Sequence, residues 1–373
     1  MYLRKSILTL VLAAIVTLAY AQLDKKASEN LLQRILPKHA NQFVIEQIGT
    51  ACKDTFQISS RNGKIVLAGN NGVSIASALY YYLNEYCHCQ ITWNGENLNL
   101  LAKLPVVPTK IKKSSPYEYR YYLNYCTYNY SMSWWDWQRW EKEIDWMALH
   151  GINMPLAITG EEYVWNEVYK EMGFTDKELS TFFCGPSYFS WFWMGNLDGW
   201  GGPLPASWMI SHKDLQQKIL KRERELGMKP VLSAFTGHVP AAFRLKYPNA
   251  KLKQTNWNNG FSDTYILDSE DPLFAEIGKR YLEKQTQIFG TDHLYSADTF
   301  NENEPPSDDP EFLSKLSARV YDGMRQADPK AVWVMQGWLF FSDRKFWHAP
   351  QIKALLDAVP NDRMIILDLI TEY

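Results

Sequence analysis

From Tyr117 onward the chain repeats one pattern: a short apolar run, an amphipathic stretch long enough for a helix, then another apolar run. Strands and helices that alternate in this way predict a parallel sheet covered by its crossover helices. The runs that qualify as strands are residues 118–124, 152–158, 229–234, 293–298, 332–336 and 364–369. Helical stretches lie between them at 135–149, 215–226, 273–289 and 311–327, the last opened by Asp309 as a cap and Pro310 in the first turn. The expected fold class is α/β, a TIM-type (β/α)8 barrel truncated after about six strands. Closure takes eight strands and about 250 residues, and residues 175–212 are spent on an insertion between the second and third strands. An open edge would expose unpaired backbone, so the sequence is expected to be a truncated product.

Ahead of the barrel, short apolar runs at 43–48, 56–59 and 64–68 and a helix-like stretch at 72–86 predict a small α/β domain over 22–113. The Pro-containing basic segment 105–115 reads as its linker, and the barrel domain as 114–373. Residues 1–21 carry Arg4 and Lys5, then an apolar run, then Ala19 and Ala21, the pattern of a cleaved signal peptide. Export is therefore expected, to a periplasmic, extracellular or lysosomal destination. That run is shorter than the roughly 20 residues that span a bilayer, so no membrane span is expected. A net charge of −2 with 21% charged residues gives no basic field for nucleic acid, and leaves oligomeric state open. Cys52, Cys87, Cys89, Cys126 and Cys184 are too few for a disulfide scaffold. Cys87-His88-Cys89 lacks a second ligand pair at zinc spacing, so neither metal nor cofactor is expected.

Reactive groups of such a barrel gather at the carboxyl ends of its strands. The first run ends in Asn124-Tyr125-Cys126-Thr127, the fourth in Thr299-Phe300-Asn301-Glu302 and the fifth in Gln336-Gly337-Trp338. An Asn-Glu pair there suits a retaining glycosidase: the acid protonates the leaving oxygen, and a second carboxylate about 5–5.5 Å away attacks the anomeric carbon. The other reading of Glu302 is a capped or solvated loop. Glu161 and Glu162 fit the first turn of a helix as well as catalysis, and Gly237-His238-Val239-Pro240 fits a turn before a helix as well as a proton carrier. Trp191, Trp193, Trp200 and Trp338 are sugar platforms or packed rings. Cys126 fits a small pocket lining better than a nucleophile, with no His placed near it by the pattern.

The segments Asn124-Tyr125-Cys126-Thr127, Ser133 to Trp137, Trp140 to Leu149, Met194-Gly195-Asn196-Leu197, Gly202-Pro203-Leu204-Pro205, Gly237 to Pro240, Asp298 to Glu302 and Gln336-Gly337-Trp338 resemble, in order, the alpha-N-acetylglucosaminidases of glycoside hydrolase family 89. The resemblance covers nearly everything from Tyr117 to the end. It implies a retaining exo-glycosidase that removes terminal non-reducing α-linked N-acetylglucosamine from glycans. By that resemblance Glu302 is the acid/base, and Asn124, Cys126, Trp191, Met194, Asn301, Trp338 and Leu369 match the sugar pocket, Cys126 lining the acetamido methyl. The family's nucleophile is a glutamate on a later barrel strand, and a helical domain follows the barrel. Both are expected to be missing, since Glu372 does not match that role. The second reading is an inactive fragment that binds sugar weakly.

Overall fold

A computed structural model describes residues 23–49, 53–257, 260–300, 302 and 304–368. The leader read at 1–21 therefore lies outside the described residues, as do Asn301, Leu369 and Glu372. The chain forms two compact units. One gathers the described residues up to Arg120 with Asp145–Asn153 and Glu225–Met228, the other the remainder.

In the first unit Lys64–Gly69 is the strand with the most buried side chains, because its residues after Lys64 are apolar or small. It pairs parallel with Phe43–Gln47 and antiparallel with Thr55–Arg61. The helix Gly72–Cys87 follows, capped by Asn71, whose side chain accepts from the Ser74 amide at 2.8 Å. The segment expected to be a linker contains a further strand: Ile111–Ser114 pairs antiparallel with Thr55–Arg61, Ile58 facing Ile111. It occupies the sheet edge with only Ile111 half-buried, so it carries no apolar pattern.

The second unit holds the expected parallel sheet, with strand order following the sequence. Tyr121–Tyr122 pairs with Met154–Pro155, Leu156 bridges to Val231, and Leu232–Ser233, Leu294–Ser296, Val332–Gln336 and Met364–Leu367 follow in turn. Tyr295, Val334 and Met335 are all buried. Burial on both faces explains why the inner strands read as unbroken apolar runs. Several are shorter than the runs that predicted them, Leu232–Ser233 most clearly.

Its helices turn an apolar stripe to the sheet. Pro310–Ala327 buries Leu313, Leu316, Val320, Tyr321 and Met324 at three- and four-residue spacing. Asp309 caps it, accepting from the Phe312 amide at 3.2 Å, with Pro310 in the first turn, where no intrahelical donor is needed. The helix expected at 215–226 starts earlier, as Ala206–Glu225. His238 does not sit in a turn before a helix: His238–Val239 is a strand, joined by Thr264–Leu267 and Leu252–Thr255 in a small antiparallel sheet. Among the described residues no helix is long and apolar enough to cross a membrane.

Candidate active site

Glu302 follows the fourth barrel strand and is exposed. Its Oε2 accepts from the Trp257 indole N–H at 2.7 Å, which fixes one carboxyl oxygen. Four residues earlier, the buried Asp298 accepts from the Gln336 amide at 2.8 Å and from Gln336 Nε2 at 2.6 Å. That clamp joins the end of the fourth strand to the end of the fifth, two residues before Trp338. Burial pushes the Asp298 carboxyl up to about 6, against the Gln336 hydrogen bonds.

On the first strand end, Asn124 caps the helix Tyr125–Ser131, its Oδ1 accepting from Thr127 N at 2.9 Å and Thr127 Oγ1 at 2.7 Å. Cys126, in that helix, has its thiol pushed up by burial first and then by the nearby Glu302 carboxylate. A thiol held protonated is a poor nucleophile and a good apolar lining. The helix is tied to Phe189–Trp193 in the insertion: Ser190 Oγ donates to the Tyr125 carbonyl, and Asn129 accepts from the Ser190 amide. Asn129 Nδ2 also donates to the Pro186 carbonyl at 2.6 Å and to Ser133 Oγ at 2.7 Å.

Trp191 lies beside Ser190, its ring centroid 6.2 Å from that of Trp257. Met194 is buried, and the carbonyl of the next residue, Gly195, accepts from Thr264 Oγ1 at 2.9 Å. That bond ties the insertion to the hairpin bearing Trp257. Trp338 opens the helix Trp338–Ser342 with its ring 5.7 Å from that of Phe341, and is linked to the group through Gln336 and Asp298. Cys126, Trp191, Trp257 and Glu302 thus come together, with Asn124 and Met194 on the same elements. Asn301 and Leu369 lie outside the described residues.

Glu161 and Glu162 do open a helix, Glu161–Glu171, and both are buried. Burial pushes Glu161 up to about 7, opposed by the Trp165 indole N–H at 2.9 Å, and Glu162 up to about 8. His238 Nε2 meets Asp198 Oδ1 at 2.6 Å, also buried. A small pocket lies between Glu161, Trp165, Phe182, Trp193 and His238. Another is lined by Lys253, Phe274, Phe300 and Glu304 but by none of the predicted site residues.

Trp257 is the site residue that sequence reasoning misses. The signal available was Asn259-Gly260, a hairpin pair between the runs that become Leu252–Thr255 and Thr264–Leu267.

The parallel β/α sheet thus presents Glu302 after its fourth strand, beside the rings of Trp257 and Trp191. Residues 120–373 match the model of the alpha-N-acetylglucosaminidase (NAGLU) tim-barrel domain, and residues 26–106 that of the same family's N-terminal domain. The chain belongs to the alpha-N-acetylglucosaminidase family. It is 45% identical over 324 residues to human alpha-N-acetylglucosaminidase, which covers 86% of this chain and 44% of that protein. The family 89 glycoside hydrolase of Clostridium perfringens, in complex with 2-acetamido-1,2-dideoxynojirmycin, superposes with a TM-score of 0.86 at 33% identity, over 94% of this chain and 40% of that one. The same enzyme with its substrate GlcNAc-alpha-1,4-galactose gives 0.86 at 33% identity, over 94% and 39%. The chain therefore spans less than half the length of the relatives it matches.

Proposed function

We propose that the full-length protein is an exported retaining exo-glycosidase that hydrolyses terminal α-linked N-acetylglucosamine from glycans. The observation that carries this is Glu302 at the fourth strand end, one oxygen held by Trp257, within a stretch that matches the family's barrel. Glu302 protonates the glycosidic oxygen as a second carboxylate attacks the anomeric carbon. It then takes a proton from the water that releases the sugar. Asn124, Cys126, Trp191, Met194, Asn301, Trp338 and Leu369 line the pocket in this reading, with Cys126 against the acetamido methyl. The substrate GlcNAc-alpha-1,4-galactose bound by the Clostridium enzyme supports the linkage. Export rests on the leader read at residues 1–21.

The test is hydrolysis of GlcNAc-alpha-1,4-galactose by the full-length protein, with Glu302→Gln beside it. The substitution is expected to lower kcat by about 100-fold or more and to leave the melting temperature unchanged. Wild-type levels of activity in Glu302→Gln would remove Glu302 from the mechanism.

A further inference from the structure

We propose that Trp200 and Phe261 form a second sugar platform, on the leaving-group side of Glu302, that takes the ring following the cleaved residue. This rests on the functional reading above. A general acid must lie against the glycosidic oxygen, the boundary between the sugar that is cut off and the glycan that departs. A ring in contact with that acid therefore stands near this boundary. Trp257 is such a ring; it adjoins Trp191, a pocket residue in the functional reading, and two further rings continue the row. The Trp257 centroid is 5.3 Å from that of Phe261, and Phe261 is 4.7 Å from Trp200.

Exposure separates Trp200 from the packed rings of the same insertion, and its neighbour Phe261 is half-buried. Phe182, Phe183, Phe189 and Phe192 are each 1–2% exposed, whereas Trp200 is 38% exposed. Together the two rings make a contiguous apolar surface at the edge of the candidate site. A pyranose offers such a ring an apolar C–H face, attracted by the negative face of the π-system.

The platform is also held in place, so little order has to be imposed when a ligand arrives. The Trp200 carbonyl accepts from the Gly185 amide at 2.7 Å. A Cβ on Gly185 would stand 2.2 Å from the Gly201 carbonyl oxygen, so this approach requires glycine. Asn256 Nδ2 donates to the Phe261 carbonyl at 3.2 Å and to Asp263 Oδ1 at 2.7 Å, setting the hairpin that presents Phe261.

The experiment compares two substrates of the full-length protein. One is an α-N-acetylglucosaminyl-capped trisaccharide; the other is α-N-acetylglucosaminyl fluoride, which has no leaving-group ring. Trp200→Ala and Phe261→Ala should each lower kcat/KM for the trisaccharide about three- to ten-fold more than for the fluoride, chiefly through KM, and Trp200→Phe should recover most of the loss. Equal losses on both substrates would mean that the rings only support the loops, and no loss on either would mean that they touch nothing; both outcomes overturn the proposal. A wild-type protein that cleaves neither substrate would overturn the functional reading itself, and this platform with it.

Discussion

Glu161 and Glu302 each follow a barrel strand, the second and the fourth, yet the two ends use their carboxyls differently. Glu161 and its neighbour Glu162 are buried, raised by burial to about 7 and about 8, and committed to the start of a helix. Glu302 is exposed, with an indole N–H on one oxygen. Of the two, Glu302 is the one open to a ligand, which the proposed mechanism requires of its acid. Asp298 resembles the buried pair: it is tied to the sheet through Gln336.

The sharpest way to break this contrast is Asp298→Ala. It strands the Gln336 amide in a buried place and should cost about 2–3 kcal/mol by denaturant unfolding. A cost below about 0.5 kcal/mol would mean that the clamp does not hold the strand ends.

Next comes the pH dependence of Glu162. A carboxyl whose folded pKa is raised lends stability in its protonated form, full below its unfolded value of about 4.3 and gone once the pH has passed its folded value of about 8. Stability should therefore decline between those limits. Glu162→Gln stays neutral throughout, so it should gain several degrees of melting temperature on the wild type between pH 5 and pH 8. Parallel curves would show that Glu162 does not carry the proton.

The smallest expected change in stability is that of Trp257→Phe, under about 0.5 kcal/mol at this exposed hydrogen bond. It should be accompanied by a several-fold fall in kcat, since the Glu302 oxygen loses its anchor. A marked loss of stability instead would make Trp257 part of the packing.

How much of this was legible in the sequence follows the same divide. The six strands could be read because a parallel sheet buries both faces and so writes continuous apolar runs, such as Val332–Gln336. Asp309-Pro310 marked a helix start that is present. The antiparallel sheet of His238–Val239, Leu252–Thr255 and Thr264–Leu267 was not legible, because strands of two to four residues, several of them half-exposed, lack a period to count. Trp257 was missed with it. Ile111–Ser114 escaped for a related reason, since an edge strand with three exposed residues reads as linker. Asn129-Tyr130-Ser131 has the pattern of a glycosylation acceptor, but the pattern does not show that the Asn129 amide donates to Pro186 and Ser133.

The order of the barrel strands also bears on how the molecule is made. Each parallel strand pairs with the one before it in the sequence, from Tyr121–Tyr122 to Met364–Leu367. A sheet laid down in this order never has to hold a gap for a strand not yet synthesised. As the chain leaves the ribosome, each new strand finds its edge already in place, and loop closure is charged one unit at a time.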